Sequence, residues 1–157
     1  MCPHGRRTTL TPAPQDLHLP RLLGGEVVVR GYPLVMVHGE KIVTAVARGT
    51  VNTRWRDFAD IYLLSRRHAL AGADLAGSVR QVARHRQVEL VPLVRVLDGY
   101  GEIGQARWAA WRRKQQLEER LPAQLAEVVS AVVVFADPAV SGNVTGLSWD
   151  PSAGSWS

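Results

Sequence analysis

Cysteine is almost absent from this chain: Cys2 is the only one in 157 residues. An internal disulfide and a cysteine-based zinc site are therefore excluded, which fits a reducing compartment. Lysine is nearly as scarce. Lys41 and Lys114 stand beside 17 arginines, and the net charge is +5. A basic surface of this kind permits binding to phosphates or nucleic acid without demanding it. No apolar run is long enough to cross a bilayer; the best, residues 128–136, is far too short. Arg6 and Arg7 are not followed by an apolar stretch, so no signal peptide is read there and the cytoplasm is the expected location. The chain also has no Asp-x-Asp or Asp-x-Glu pair, and its only acid before Glu26 is Asp16.

What is present reads as a globular chain. Hydrophobic residues make up 46% and charged residues 21%, values that support a packed core at this length. That core would be one domain, or a lobe of a larger one. Residues 1–15, with Pro3, Pro12 and Pro14, read as irregular. Residues 16–20 alternate apolar and polar side chains, residues 22–25 read as a turn, and residues 26–30 are a β-branched run, so together they suggest a hairpin or the edge of a sheet. Pro33 suits the first position of a helix that runs to about Ala47 and stops at Gly49. Asn52 or Thr53 can cap the next helix, to about Arg67. Residues 71–73 read as a linker and Asp74 as the cap of a third helix over 75–85. A short helix follows near Pro92, ended by Gly99 and Gly101. A longer one spans 103–120, and a last one spans 124–136, stopped by Asp137-Pro138. Residues 143–157, rich in Ser and Gly, read as a disordered tail. The expected fold is mainly α (α+β): a short N-terminal β-hairpin or sheet remnant followed by about six helices.

The charges that stand out lie on the first two helices. Lys41, Thr44, Ala45 and Arg48 fall at i, i+3, i+4 and i+7 and share one face. Asp57 and Asp60 lie one turn apart on the next helix, among Trp55, Phe58, Ala59 and Tyr62. Charges at the edge of such an apolar pattern must be paired or used. Lys41 can meet a phosphate as a compact cation, or pair with Glu40 or an acid of the next helix. Asp57 can accept a proton from a nearby hydroxyl, or pair with Lys41 or Arg48. Arg48 can grip a phosphate bidentately, or bridge to Asp57 or Asp60. His38 and Glu40 do not share a helical face, so a core histidine is the better reading than a metal site. Gly24-Gly25 opens no phosphate-loop pattern. Trp108 and Trp111, among arginines, could stack on RNA bases, although such pairs more often join helices. Arg80, Arg84 and Arg86 read as a solvated basic face.

The two motifs in order, Lys41-x-x-Thr44-x-x-x-Arg48 and Asp57-x-x-Asp60, resemble those of the nucleotidyltransferase AbiEii/AbiGii toxin family, over about residues 12–142. The resemblance implies the C-terminal part of a nucleotidyltransferase-like fold with a helical bundle. It also implies an enzyme that moves a nucleotide from an NTP, such as GTP or CTP, to an RNA such as tRNA in abortive infection or a toxin–antitoxin pair. Lys41, Thr44 and Arg48 would bind the nucleotide, Asp57 would be the catalytic residue, and Asp60 and Glu40 would support them. The family's Mg²⁺ ligands come from a Gly-Ser or Gly-Gly turn and an Asp-x-Asp strand that precede these helices. No Asp-x-Asp pair stands in this chain, so no metal ligand is assigned. The expectation is a member lacking its metal-binding half and inactive alone, with sheet-facing helix surfaces exposed to self-association. The alternative is a non-catalytic helical module that binds nucleotide, RNA or an antitoxin. No membrane partner is expected.

Overall fold

The computed structural model describes the backbone of β1 (Asp16–Pro20) and β2 (Glu26–Arg30) and all of residues 33–157. The irregular segment 1–15 and the turn at 22–25 lie outside the described residues. β1 and β2 pair antiparallel, from Asp16 opposite Arg30 to Pro20 opposite Glu26, as the alternation and the valine run predict. The rest is mainly helical: α1 (Leu34–Arg48), α2 (Trp55–Ser65), α3 (Gly72–Arg86), α4 (Leu93–Val96), α5 (Tyr100–Ile103), α6 (Gln105–Lys114) and α7 (Leu125–Val140). A second small sheet joins β3 (Leu70–Ala71), β4 (Ser148–Asp150) and β5 (Ser155–Trp156) in the order β3-β4-β5.

α1 begins at Leu34 with Pro33 as its cap, and the Pro33 carbonyl accepts from the Met36 and Val37 amides. It ends where Gly49 takes φ +57°, a conformation glycine adopts without strain. α1 lies along α3, and one close approach fixes their spacing. A Cβ at Gly39 would run into the Ser78 hydroxyl, and that hydroxyl donates to the Val35 carbonyl at 2.8 Å. α7 is the central helix and packs against α2, α3, α4, α5 and α6. Its Leu125, Val128, Val132, Phe135 and Ala136 are essentially inaccessible to solvent.

Several expected boundaries move. The linker at 71–73 is instead the edge of β3 and the start of α3. Ala71 pairs with Ser148, and the Gly72 amide donates to the Leu147 carbonyl at 2.7 Å. A Cβ at Gly72 would collide with the Val144 carbonyl, so glycine is required there. The helix expected over 103–120 stops at Lys114, because Gln116 turns to φ +59° and Leu117 and Leu121 fold back into the core. Side chains of α6 hold that return. Trp108 Nε1 donates to the Pro122 carbonyl, Arg112 donates to the Glu118 and Leu121 carbonyls, and Gln105 clasps Ala123 and Leu125. Trp108 is fully buried and stacks on Trp111, so it joins structure and not bases. α7 runs on through Pro138 to Val140. Asp137 does not stop it. Its carboxylate caps α4 by accepting the Leu93 and Val94 amides at 2.6 and 3.0 Å.

The disordered tail is also corrected. Residues 148–150 and 155–156 are strands, and Trp149 is buried. Trp149 Nε1 donates to the Ser65 carbonyl at 2.6 Å and Trp156 Nε1 to the Phe135 carbonyl at 3.0 Å. Both rings pack on Phe135 and on each other. Two tryptophans give a short polar segment enough apolar area to stay docked. The large apolar side chains exposed among the described residues are Val51, Val94, Ile103 and Val134, none of them on α1 or α2. The expected uncovered faces of those two helices are not seen there.

Candidate functional site

α1 and α2 meet through charge. Lys41 sits mid-way along α1, and its ammonium lies 3.0 Å from Asp57 Oδ1 and 2.9 Å from Asp60 Oδ2. The three-residue spacing of the two aspartates puts both on one face of α2, as the sequence predicts. The second oxygen of Asp57 accepts from Arg54 Nε at 2.8 Å. Asp57 also lies in the first turn of α2, where the helix dipole favours an anion. Its side chain is 7% exposed, against 20% for Lys41 and 18% for Asp60.

The loop that presents Arg54 is itself fixed. The Asn52 side-chain oxygen accepts the Arg54 amide at 2.7 Å, and the Tyr100 hydroxyl donates to the Asn52 carbonyl at 2.6 Å. Burial raises the pKa of Tyr100, so its hydroxyl keeps the proton it donates. Asn52 thus orders the approach to α2, although no side-chain bond caps the helix directly.

Burial works against the Lys41 ammonium, but Asp60 and Asp57 outweigh it and hold its pKa above the ordinary lysine value. Burial also raises the Asp60 carboxyl, and Lys41 offsets this only in part. The two shifts differ in effect because the ammonium faces two carboxylates, whereas Asp60 shares one ammonium and feels the charge of Asp57.

Glu40, Lys41, Thr44, Arg54 and Asp57, with Val37, line an open cleft of about 280 Å³. Thr44 donates to the Glu40 carbonyl at 2.9 Å, one turn back on α1. Arg86, from the end of α3, donates through Nη1 to Thr44 Oγ1 at 2.9 Å and lies 3.6 Å from Glu40 Oε1. Arg48 is exposed and makes no ion pair with Asp57 or Asp60 among the described residues. The structure therefore brings Lys41, Asp57 and Asp60 together, places Glu40 and Thr44 on the same cleft, and leaves Arg48 apart. Two arginines were not assigned to the site from sequence. Arg54 carries a local signal, three residues before Asp57. Arg86 carries none, because its partner lies 42 residues away.

His38 is fully buried against Phe135, and neither ring nitrogen has a hydrogen-bond partner among the described residues. Burial, with smaller contributions from His68 and Lys41, brings its pKa down to about 3. It is a neutral core side chain.

A family model described as nucleotidyl transferase AbiEii toxin, type IV TA system, matches residues 4–133. The chain belongs to that family. Its kinship is thus with nucleotidyltransferase toxins of toxin–antitoxin systems. No curated protein and no solved structure matches the chain. Such transferases use an NTP and a divalent metal. Among the described residues no three His, Cys, Asp or Glu side chains gather where a metal ion could be held. Asp57 and Asp60 already engage Lys41 and Arg54. No Mg²⁺ site is therefore seen among the described residues of this AbiEii chain. Among the described residues, no helix is long and apolar enough to cross a membrane.

Proposed function

We propose that the Lys41 cleft binds the phosphates of an NTP and serves nucleotidyl transfer to an RNA such as tRNA, as the toxin of a toxin–antitoxin pair in phage defence. The observation that carries this reading is the Lys41 ammonium, shared by two aspartates at the wall of an open cleft. Lys41 and Thr44 face the phosphates, with Arg48 one turn further along the same helix. In the complete reaction the acceptor oxygen bonds to the α-phosphorus, the bond to pyrophosphate breaks, and Asp57 takes the hydroxyl proton. At rest both Asp57 oxygens are occupied, by Lys41 and Arg54. Asp57 becomes a base only when phosphate draws those cations away. Asp60 then holds the Lys41 stem in register and Glu40 orders the rim. NTP and tRNA place this function in the cytoplasm, with a cognate antitoxin as protein partner.

On this reading the chain alone binds the nucleotide but does not complete the transfer. The support is the sequence, which has no Asp-x-Asp or Asp-x-Glu pair to supply metal ligands. A second reading is a non-catalytic module that binds nucleotide, RNA or antitoxin, favoured by the full occupation of Asp57. Incubation with labelled NTPs, Mg²⁺ and total tRNA tests both. The expected result is NTP binding that Lys41→Ala abolishes, without labelled RNA. Labelling that disappears in Lys41→Ala would show the chain to be a complete enzyme.

A further inference from the structure

Among the described residues, the cations that line the cleft, Lys41 and Arg54, and Arg86 beside it each face a carboxylate. Lys41 holds Asp57 and Asp60, Arg54 holds Asp57, and Arg86 faces Glu40. An entering polyphosphate must therefore take a cation from an acid, and the weakest pair yields first. Asp57 is nearly buried, bonded on both oxygens and costly to strip. The Arg86–Glu40 pair is the reverse. Its contact is the longest of the set at 3.6 Å, and its side chains are 36% and 46% exposed. Exposed pairs of that kind contribute little to stability. A guanidinium can also grip phosphate oxygens with two parallel N–H bonds, which an ammonium cannot.

The fold fixes where Arg86 stands. It is the last residue of α3, followed by Gln87 at φ +57°, with the Gln87 amide on the Arg84 carbonyl and the Val88 amide on the Ala83 carbonyl. The Gly39–Ser78 contact sets α3 close against α1, so the Arg86 guanidinium reaches Thr44.

Resting on the nucleotide reading above, we propose that Arg86 is a further substrate-binding residue, which leaves Glu40 to grip the polyphosphate tail of the nucleoside triphosphate. Thr44 holds the guanidinium in place until the phosphate arrives. Glu40 keeps the site from taking up stray anions.

The test is calorimetric titration of the full chain with GTP and with inorganic tripolyphosphate, comparing wild type, R86Q, R86K and K41A, with melting curves for each. R86Q keeps an N–H donor for Thr44 and loses the charge. The expected result is a tenfold or greater loss of affinity for both ligands in R86Q, a smaller loss in R86K, and little change in melting temperature. Wild-type affinity in R86Q, with binding lost in K41A, overturns the role of Arg86 and leaves the nucleotide reading standing. An R86Q that melts far below wild type, with binding not restored in R86K, makes Arg86 a structural clasp and overturns the proposal. A wild type that binds neither ligand sinks the nucleotide reading and this role together.

Discussion

Lys41→Met isolates what the shared ammonium does for the fold. Methionine keeps most of the aliphatic stem and removes the charge, leaving Asp60 with no ion pair and Asp57 with Arg54 alone among the described residues. At about 3 Å and an effective dielectric near 20, the gross attraction is roughly 5 kcal/mol per contact. Desolvation cancels much of this, and losing one partner of a buried pair costs about 3–5 kcal/mol. Lys41 and Asp60 keep 20% and 18% exposure, which places the expected loss at the low end, about 3 kcal/mol. For a domain of this size that corresponds to a fall in melting temperature of roughly 6–12 °C. The pH dependence supplies a sign. Asp60 already has a folded pKa above its ordinary value, and losing Lys41 raises it further. The folded state then penalises the ionised carboxylate, so the penalty is full above the folded pKa, shrinks as pH falls through it, and is gone below the unfolded one. Urea denaturation of wild type and variant at pH 7.5 and 4.5 reads both quantities. A loss under about 1 kcal/mol at pH 7.5, or one no smaller at pH 4.5, would refute the view that this ion triad ties α1 to α2.

Two further perturbations probe the surrounding structure. His38 has a folded pKa of about 3, so its contribution is fully present above the unfolded value near 6.5 and is lost as pH falls from there. At pH 5 the loss is about 2 kcal/mol; His38→Phe should remove that part of the acid sensitivity, measured by urea midpoints at pH 7.5 and 5. Trp149→Ala should cost about 3–5 kcal/mol and free β4 and β5, read as faster amide exchange at residues 70–71 and 148–156 with the Lys41 cleft unchanged.

The first half of the helical body was legible because its signals are local. Apolar periodicity marks α1 and α2, Gly49 marks a stop, and the three-residue spacing of Asp57 and Asp60 puts them on one face. Lys41 followed from its position inside that pattern. What escaped depends on partners far along the chain. Arg86 looks like one more solvated arginine until α3 is laid against α1. Asp137-Pro138 reads as a terminator until the carboxylate is seen to cap α4, some 44 residues away. Residues 143–157 have the composition of a tail, and nothing next to Trp149 or Trp156 in the sequence shows what would hold them. Phe135 and the Ser65 carbonyl, which do so, are invisible to a local reading. The end of α6 failed for a related reason, since Leu117 and Leu121 turn inward only because α6 side chains bind the returning backbone.

The central position of α7 bears on synthesis. At about 10 residues per second, some ten seconds separate the emergence of Leu34 from that of Val140. Throughout that interval α1 to α6 have no central helix to close around, and Phe58, Leu93 and Tyr100 lack much of their cover. The nascent chain therefore waits with its interior open, in need of protection by chaperones, until the arrival of a single late segment lets all of it condense.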